Sequence, residues 1–314
     1  MPKIPSVDLN NFLSDDKLLR NNFVKKLGKA YNEIGFVALK GHFLNELDIR
    51  KIYKSIKAFF NLPQDIKNKY ELEGFSGQRG YTSFGKEHAK GKEHGDLKEF
   101  WHFGQYLDDH EYSQFGYPKN IYVKEIPEFN EIGKTVYKAL EKTAIFVLRA
   151  ISLYLDLDEY HFDKHVIKGN SILRPIHYPP IITKPKGAER AAAHGDINLI
   201  TLLIGAHGKG LQVLTNKGEW IDAIAEKDEI IINVGDMLSR YTNNKLKSTI
   251  HKVVNPPKDQ WKKSRYSIPF FLHPIGNMKL NVLDSCIDKD NPKKYEDISA
   301  HDFLVQRLKE IGVL

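Results

Sequence analysis

A mainly β fold with flanking helices, its strands arranged as a jelly roll, is the class that these 314 residues predict, and three observations predict it. Before about residue 170 the chain carries apolar side chains three and four apart, the period of amphipathic helices. After residue 170 it changes to short strand-like runs at regular spacing, punctuated by turn residues, as in antiparallel sandwiches and barrels. A capped helical pattern closes the chain. Among such β architectures the jelly roll is the form that suits an enzyme.

Taken in order, residues 14 to 33 read as a helix with Ser14 as N-cap, Asp15 and Asp16 in the first turn, and Leu19, Phe23, Leu27, Ala30 and Tyr31 at helical spacing. Gly35-Phe-Val-Ala-Leu-Lys-Gly41 reads as a strand bounded by glycines. Helices follow over 45 to 60 and 62 to 70, the latter with Pro63 in its first turn. From Gly74 to Lys98 the composition is that of a long loop, relieved only by Gly80-Tyr-Thr-Ser-Phe84. Phe129, Ile132, Val136, Leu140, Ala144, Val147, Ile151 and Leu155 mark the longest helix, 128 to 155. The strand runs are Ser171–Tyr178, Ala191–Ile204, Gly210–Thr215, Glu219–Ala223, Glu229–Met237, Ser248–Val254 and Arg265–Leu272, with Asn216-Lys-Gly218 as a hairpin turn. Ser299 caps the last helix, whose apolar face is Phe303, Leu304, Leu308 and Ile311. The expected organisation is one integrated catalytic unit: a helical and mixed region over 1–165, a β core over 166–280 and a helical segment over 281–314.

Composition removes several function classes. With 41% hydrophobic and 28% charged residues and no run of 18 apolar residues, a membrane span is not expected. Met1-Pro-Lys-Ile-Pro lacks the apolar stretch of a secretory signal, and Cys286 has no second cysteine to pair with, so a cytoplasmic location is expected. The net charge of +7 comes from lysines interleaved with acids, as in Lys86-Glu87, Lys92-Glu93 and Lys98-Glu99, rather than from a basic stripe. Nucleic acid is therefore not an expected partner. A small molecule is.

The chemistry concentrates around His194-Gly-Asp196. Residues two apart on an extended segment share a face, so an imidazole and a carboxylate can point at one atom. His-x-Asp also occurs at His94-Gly-Asp96 and His161-Phe-Asp163, but those copies lie in a lysine-rich loop and a polar helix end. Only His194 heads an apolar run. A mononuclear 2-His-1-carboxylate site needs one more ligand and leaves coordination positions open; His251, on the apolar strand Ser248-Thr-Ile-His-Lys-Val-Val254, is the candidate. A lone strand histidine is more often structural. What changes the reading is the next strand, where Arg265 and Ser267 share a face and offer a guanidinium fork and a hydroxyl suited to a carboxylate.

This order of residues resembles the iron(II)- and 2-oxoglutarate-dependent dioxygenases, in the branch similar to isopenicillin N synthase. Ile4-Pro-Ser-Val-Asp-Leu, Gly35-Phe-Val, Asp96-Leu-Lys-Glu-Phe100, Tyr178-Pro-Pro, Thr201-Leu-Leu, Asn233-Val-Gly-Asp236 and His251-Lys-Val-Val-Asn-Pro-Pro257 extend the likeness over nearly the whole chain. The resemblance implies a double-stranded β-helix core of jelly-roll type wrapped by N- and C-terminal helices. It implies His194, Asp196 and His251 as ligands of Fe(II), and Arg265, Ser267 and Tyr178 as the binding residues of 2-oxoglutarate, with O2 as second co-substrate. Where many relatives carry Asn this chain has Ile176, and the connection Lys258–Ser264 is longer than in the branch. The implied reaction is oxidative decarboxylation of 2-oxoglutarate to succinate and CO2, coupled to oxidation, by default hydroxylation, of a small organic substrate. Asp196 argues against halogenation, since halogenating relatives lack that carboxylate. In this branch the pocket mouth involves the N-terminal part, which makes Arg79, Tyr81, Phe84, Phe100, His102 and Arg174 candidates to meet substrate, and the two arginines suggest an anionic one. Competing readings are an isopenicillin N synthase-like oxidase or cyclase that uses no 2-oxoglutarate, a non-catalytic jelly-roll binding module, and a nucleic-acid demethylase. Asp236, after Gly235, reads as a turn residue rather than a metal ligand. Oligomeric state is not legible.

Overall fold

The computed structural model describes residues 4–72, 78–87, 95–183, 185, 188–205 and 209–310. In chain order its strands are β1 (Ser6–Asp8), β2 (Phe36–Lys40), β3 (Gly80–Thr82), β4 (Glu99–His102), β5 (Ile172–Leu173), β6 (Ile176–Tyr178) and β7 (Ala191–His194). They continue with β8 (Ile200–Ile204), β9 (Leu211–Leu214), β10 (Trp220–Asp222), β11 (Ile230–Val234), β12 (His251–Val253) and β13 (Arg265–Leu272). The larger sheet runs β1-β2-β11-β8-β13-β6-β4-β3, with β5 also on β13; the smaller runs β10-β9-β12-β7. Apart from the parallel pair β1–β2, every pairing is antiparallel. This is the jelly roll, and the N-terminal strands extend its larger sheet at both edges.

The helices are α1 (Leu9–Leu13), α2 (Lys17–Glu33), α3 (Glu46–Phe60), α4 (Gln64–Asn68), α5 (Asp109–Phe115), α6 (Pro127–Tyr154), α7 (Asp163–Val166), α8 (Asp236–Tyr241) and α9 (Ala300–Glu310). The long α6 packs on α2, α3 and β13. β13 shows how the layers form. Its even residues Ile268, Phe270 and Leu272 are fully buried in the helical core, where Phe270 meets the Tyr137 ring edge-on at 5.0 Å, while its odd residues face the other way, into the space between the sheets. Period-2 alternation thus divides one strand between core and cavity.

Four expectations change. The run Ala191–Ile204 is two strands in different sheets, because the chain turns at Gly195–Leu199: Asp236 donates its backbone N–H to the Asp196 carbonyl (2.7 Å) and Gly235 donates to Leu199 (2.9 Å). An apolar run alone does not reveal a sheet switch. Ser171–Tyr178 is broken at Arg174-Pro175, since proline has no N–H to give the ladder. The strand expected over Glu229–Met237 ends at Val234, and Asp236 begins α8. Ser14 ends α1 instead of capping α2; Asp16 is the cap, accepting from the backbone N–H groups of Leu18 (2.7 Å) and Leu19 (3.2 Å). Ser299 accepts from Asp302 N–H at 3.1 Å ahead of α9, as expected of a cap.

Candidate active site

His194 ends β7 and His251 begins β12, and the two are direct cross-strand partners with ring centroids 4.5 Å apart. Asp196, two residues after His194 on the turn between the sheets, completes the group. Its Oδ1 stands 3.8 Å from His194 Nε2 and 3.7 Å from His251 Nε2, and one donor atom from each residue lies within 4.8 Å of the others. The neighbouring backbone orients the rings. His194 Nδ1 donates to the Ala192 carbonyl (2.7 Å) and His251 Nδ1 to that of Thr249 (3.2 Å), an assignment that leaves both Nε2 lone pairs facing the shared point. Asp196 is held by its other oxygen, where Oδ2 accepts from Thr201 Oγ1 and Asn233 Nδ2, each at 2.7 Å.

Charge favours a cation here. Burial opposes ionisation of Asp196, but the facing His251 and His194 rings and the bonds from Asn233 and Thr201 outweigh it and hold the carboxyl below its ordinary value. Loss of hydration within the cavity, reinforced by His251, lowers the His194 imidazole to about 4 although its side chain is 42% exposed, so it is neutral and able to ligate at neutral pH. Two imidazole nitrogens and one carboxylate oxygen converging without a donor between them fit mononuclear iron(II).

The triad opens into a cavity of about 790 Å³ between the sheets. Arg265, Ser267, Pro269, Phe271 and His273 line it from β13 and its continuation, and Ile172, Arg174, Ile176 and Tyr178 line it from the adjacent β5–β6 segment. In register, Arg265 pairs with Tyr178 and Ser267 with Ile176. The guanidinium of Arg265 lies 5.1 Å from the Tyr178 ring centroid, and its Nη1 is buried without a hydrogen-bond partner. A second buried arginine, Arg190, lies 5.7 Å from the same ring, so this end of the cavity is strongly positive. An orphaned buried guanidinium N–H is a place for an anionic ligand.

Of the remaining sequence candidates, Phe100, His102 and Arg174 line the cavity together. Arg174 Nε donates to His102 Nε2, and its guanidinium stacks 4.3 Å from Phe100 and 5.1 Å from Phe271. Tyr81 touches the wall, but its hydroxyl is engaged with the Glu99 carboxylate. Arg79 is outside the lining: it is 1% exposed and donates to the carbonyls of Pro118 (3.1 Å) and Gln78 (2.7 Å) and to Asn170 Oδ1 (3.1 Å). Phe84 is 52% exposed and also outside it. His161 pairs with the Tyr241 hydroxyl and Asp163 with Arg149, away from the triad; His94 falls outside the described residues. Asp236 accepts from Ser248 Oγ (2.6 Å) and pairs with Arg307 of α9, whose Leu304 and Leu308 close the cavity.

Sequence reasoning passed over Phe271 and His273, although extending the odd-residue face from Arg265 and Ser267 reaches both. It quoted Thr201 and Asn233 as landmarks without their role as supports of Asp196. Glu87 and Lys98 also line the cavity; nothing in their loop composition signals it.

Comparison with known proteins agrees with this geometry. Residues 169–274 match the 2OG-Fe(II) oxygenase superfamily, and residues 4–125 match the non-haem dioxygenase in morphine synthesis N-terminal family. A solved structure from Caulobacter crescentus, described as of the 2OG-Fe(II) oxygenase family, is 41% identical over 99% of this chain and all of its own, with a TM-score of 0.89. A full-length Neurospora crassa protein in complex with alpha-KG, which is 2-oxoglutarate, and thymine is 28% identical over 98% of this chain and 96% of its own, with a TM-score of 0.84. A proline hydroxylase of Petromyces alliaceus is 29% identical over 98% of both chains. With its His-Asp-His iron-binding triad, the chain belongs to the 2OG-Fe(II) oxygenase superfamily and is a 2-oxoglutarate- and iron(II)-dependent dioxygenase.

Proposed function

We propose that this enzyme hydroxylates a small organic molecule, with Arg265 and Ser267 binding the distal carboxylate of 2-oxoglutarate and Tyr178 contributing to the co-substrate pocket. The observation that carries this is the unpaired buried Nη1 of Arg265 in the same cavity as the triad. Iron(II) and 2-oxoglutarate, when bound, supply the electrons that reduce dioxygen as the 2-oxo acid is decarboxylated to succinate and carbon dioxide. The chain's own residues do the rest. Arg265 and Ser267 fix the far end of the co-substrate and so aim its 2-oxo acid end at the triad. Asp196, pinned by Thr201 and Asn233, keeps one oxygen turned toward the metal position. Ile176, Leu203, Leu211 and Val253 give the cavity an apolar wall that excludes water from the reacting centre. Ile176, where many relatives carry Asn, adds to that wall. The cavity size and the thymine complex of the Neurospora relative support a small substrate.

Anaerobic addition of 2-oxoglutarate to the iron(II)-loaded protein should produce a weak visible charge-transfer band, followed by succinate on aeration. Arg265→Ala should raise the 2-oxoglutarate concentration needed by about 100-fold, the equivalent of one or two charge-assisted hydrogen bonds. Absence of both the band and succinate would sink the proposal. Oxygen consumption without 2-oxoglutarate would favour the oxidase reading instead.

A further inference from the structure

The cavity holds five cationic side chains among the described residues, and four have acidic partners. Lys86 pairs with Glu71 (2.9 Å), Lys98 with Asp96 (2.8 Å) and Glu87 (3.6 Å), Arg174 with Glu87 (3.2 Å), and Arg307 with Asp236 (3.5 Å) and Glu310 (2.6 Å). Arg265 alone has none among the described residues. Resting on the reading that Arg265 takes the co-substrate, the cavity has one anion position and the co-substrate fills it. Asp96, Lys98, Glu87 and Arg174 form a chain of alternating sign that sums to zero beside the substrate end. Burial opposes ionisation of Glu87, but Arg174 and Lys98 outweigh it and keep it charged. A second carboxylate entering here would have to displace Glu87 from Arg174 or remain buried without a counter-ion, and both are unfavourable.

What the same end does offer is unspent hydrogen bonding. Arg174 uses Nε and Nη1 on His102 and Glu87, and its Nη2 has no partner among the described residues. Thr82 Oγ1 is buried and unpartnered, and Thr82 lines the cavity from β3. The His273 ring has no hydrogen bond among the described residues; burial lowers its pKa to about 4, so it is a neutral ring with one donor and one acceptor. Phe100 and Phe271 both line the space beside the Arg174 guanidinium.

We propose that the Arg174 end binds an uncharged planar molecule carrying amide-type C=O and N–H groups, such as a lactam or imide heterocycle, and that Glu87 sets this preference by neutralising Arg174. This replaces the anionic substrate suggested by Arg79 and Arg174, since Arg79 lies elsewhere and Arg174 is paired. Substrate recognition then runs through Arg174 Nη2, Thr82 and His273, with the ring lying along Phe271.

The test is anaerobic calorimetry on the iron(II)-loaded protein, with and without 2-oxoglutarate, using nicotinamide against nicotinate, benzamide against benzoate, and uracil. Wild type should bind the uncharged member of each pair at least tenfold tighter than the carboxylate, and should bind uracil. Glu87→Gln should reverse the preference tenfold or more, while His273→Leu should weaken the uncharged ligands and leave the carboxylates unchanged. Preference for carboxylates in wild type, binding of no member of the panel, or an unchanged ratio in Glu87→Gln would overturn the proposal; so would an unaffected panel in His273→Leu, which keeps the test alive should Glu87→Gln not fold. Failure of the panel with the 2-oxoglutarate band intact counts against this subsite alone. A preserved preference with no band counts against the co-substrate assignment alone.

Discussion

At the scale of single residues, the site is a set of side chains whose partners leave one atom of each uncommitted. Asp196 spends Oδ2 on Thr201 and Asn233 and keeps Oδ1 for the metal. Thr201→Val removes one of those two supports without changing the volume much, and should weaken iron(II) binding about tenfold, the low end for loss of a group that orients a ligand; competition with a coloured chelator reads it. An unchanged affinity would mean that Asn233 alone fixes the carboxylate. Much of this scale was legible in the sequence: the spacing His194-x-Asp196 states that two ligands can meet at one point, and Arg265-x-Ser267 states that two side chains share the face that lines the cavity. The pairing of charges was not. Arg79 and Arg174 look alike as letters, yet one is used up on backbone carbonyls and the other on Glu87, which lies 87 positions from it along the chain.

At the scale of elements, strand existence and type follow from alternation and turn residues, and the β13 boundaries agree with Arg265–Leu272 as read. The turn between β7 and β8 was hidden, because Ile197 and Leu199 continue the apolar run across it while its hydrogen bonds come from residues 235 and 236. Long-range partners of that kind leave no local signal. Gly235 shows how tightly the turn is built: a Cβ there would stand 2.1 Å from the Asn198 carbonyl oxygen and 3.1 Å from that of Asp196, both backbone atoms. Gly235→Ala should therefore cost about 1–3 kcal/mol in denaturant unfolding and shift Asp196 enough to lower bound iron, since only backbone movement relieves the clash. A fully stable variant with full iron content would show that the turn gives way freely.

At the scale of the whole molecule, burial has kept several imidazoles neutral. His42, His161, His165, His194 and His273 all have lowered pKa values, with burial as the first cause in each. The unfolded chain takes up protons near pH 6.5, whereas the folded one resists until lower pH, to about 4 for His194 and His273. Stability of the metal-free protein is thus complete above about pH 6.5 and falls as pH drops toward 4, by at most about 1.4 kcal/mol per unit for His273 and by less for His194, whose side chain is 42% exposed and screened by solvent. Thermal melts at pH 7.5, 6 and 5 should show a declining midpoint; a flat profile would contradict neutral buried rings. Among the described residues no helix is long and apolar enough to cross a membrane. One strand ties the ends of the active cavity together, since Arg265, Ser267, Pro269, Phe271 and His273 are successive rungs on one face of β13 and its continuation. Because a slip of one residue turns every rung to the opposite face, insertion or deletion there would disable both ends at once. Point replacement at 271 or 273 leaves 265 and 267 in place, so under the proposed assignment the fold can change what it oxidises without relearning how to hold its oxidant's fuel.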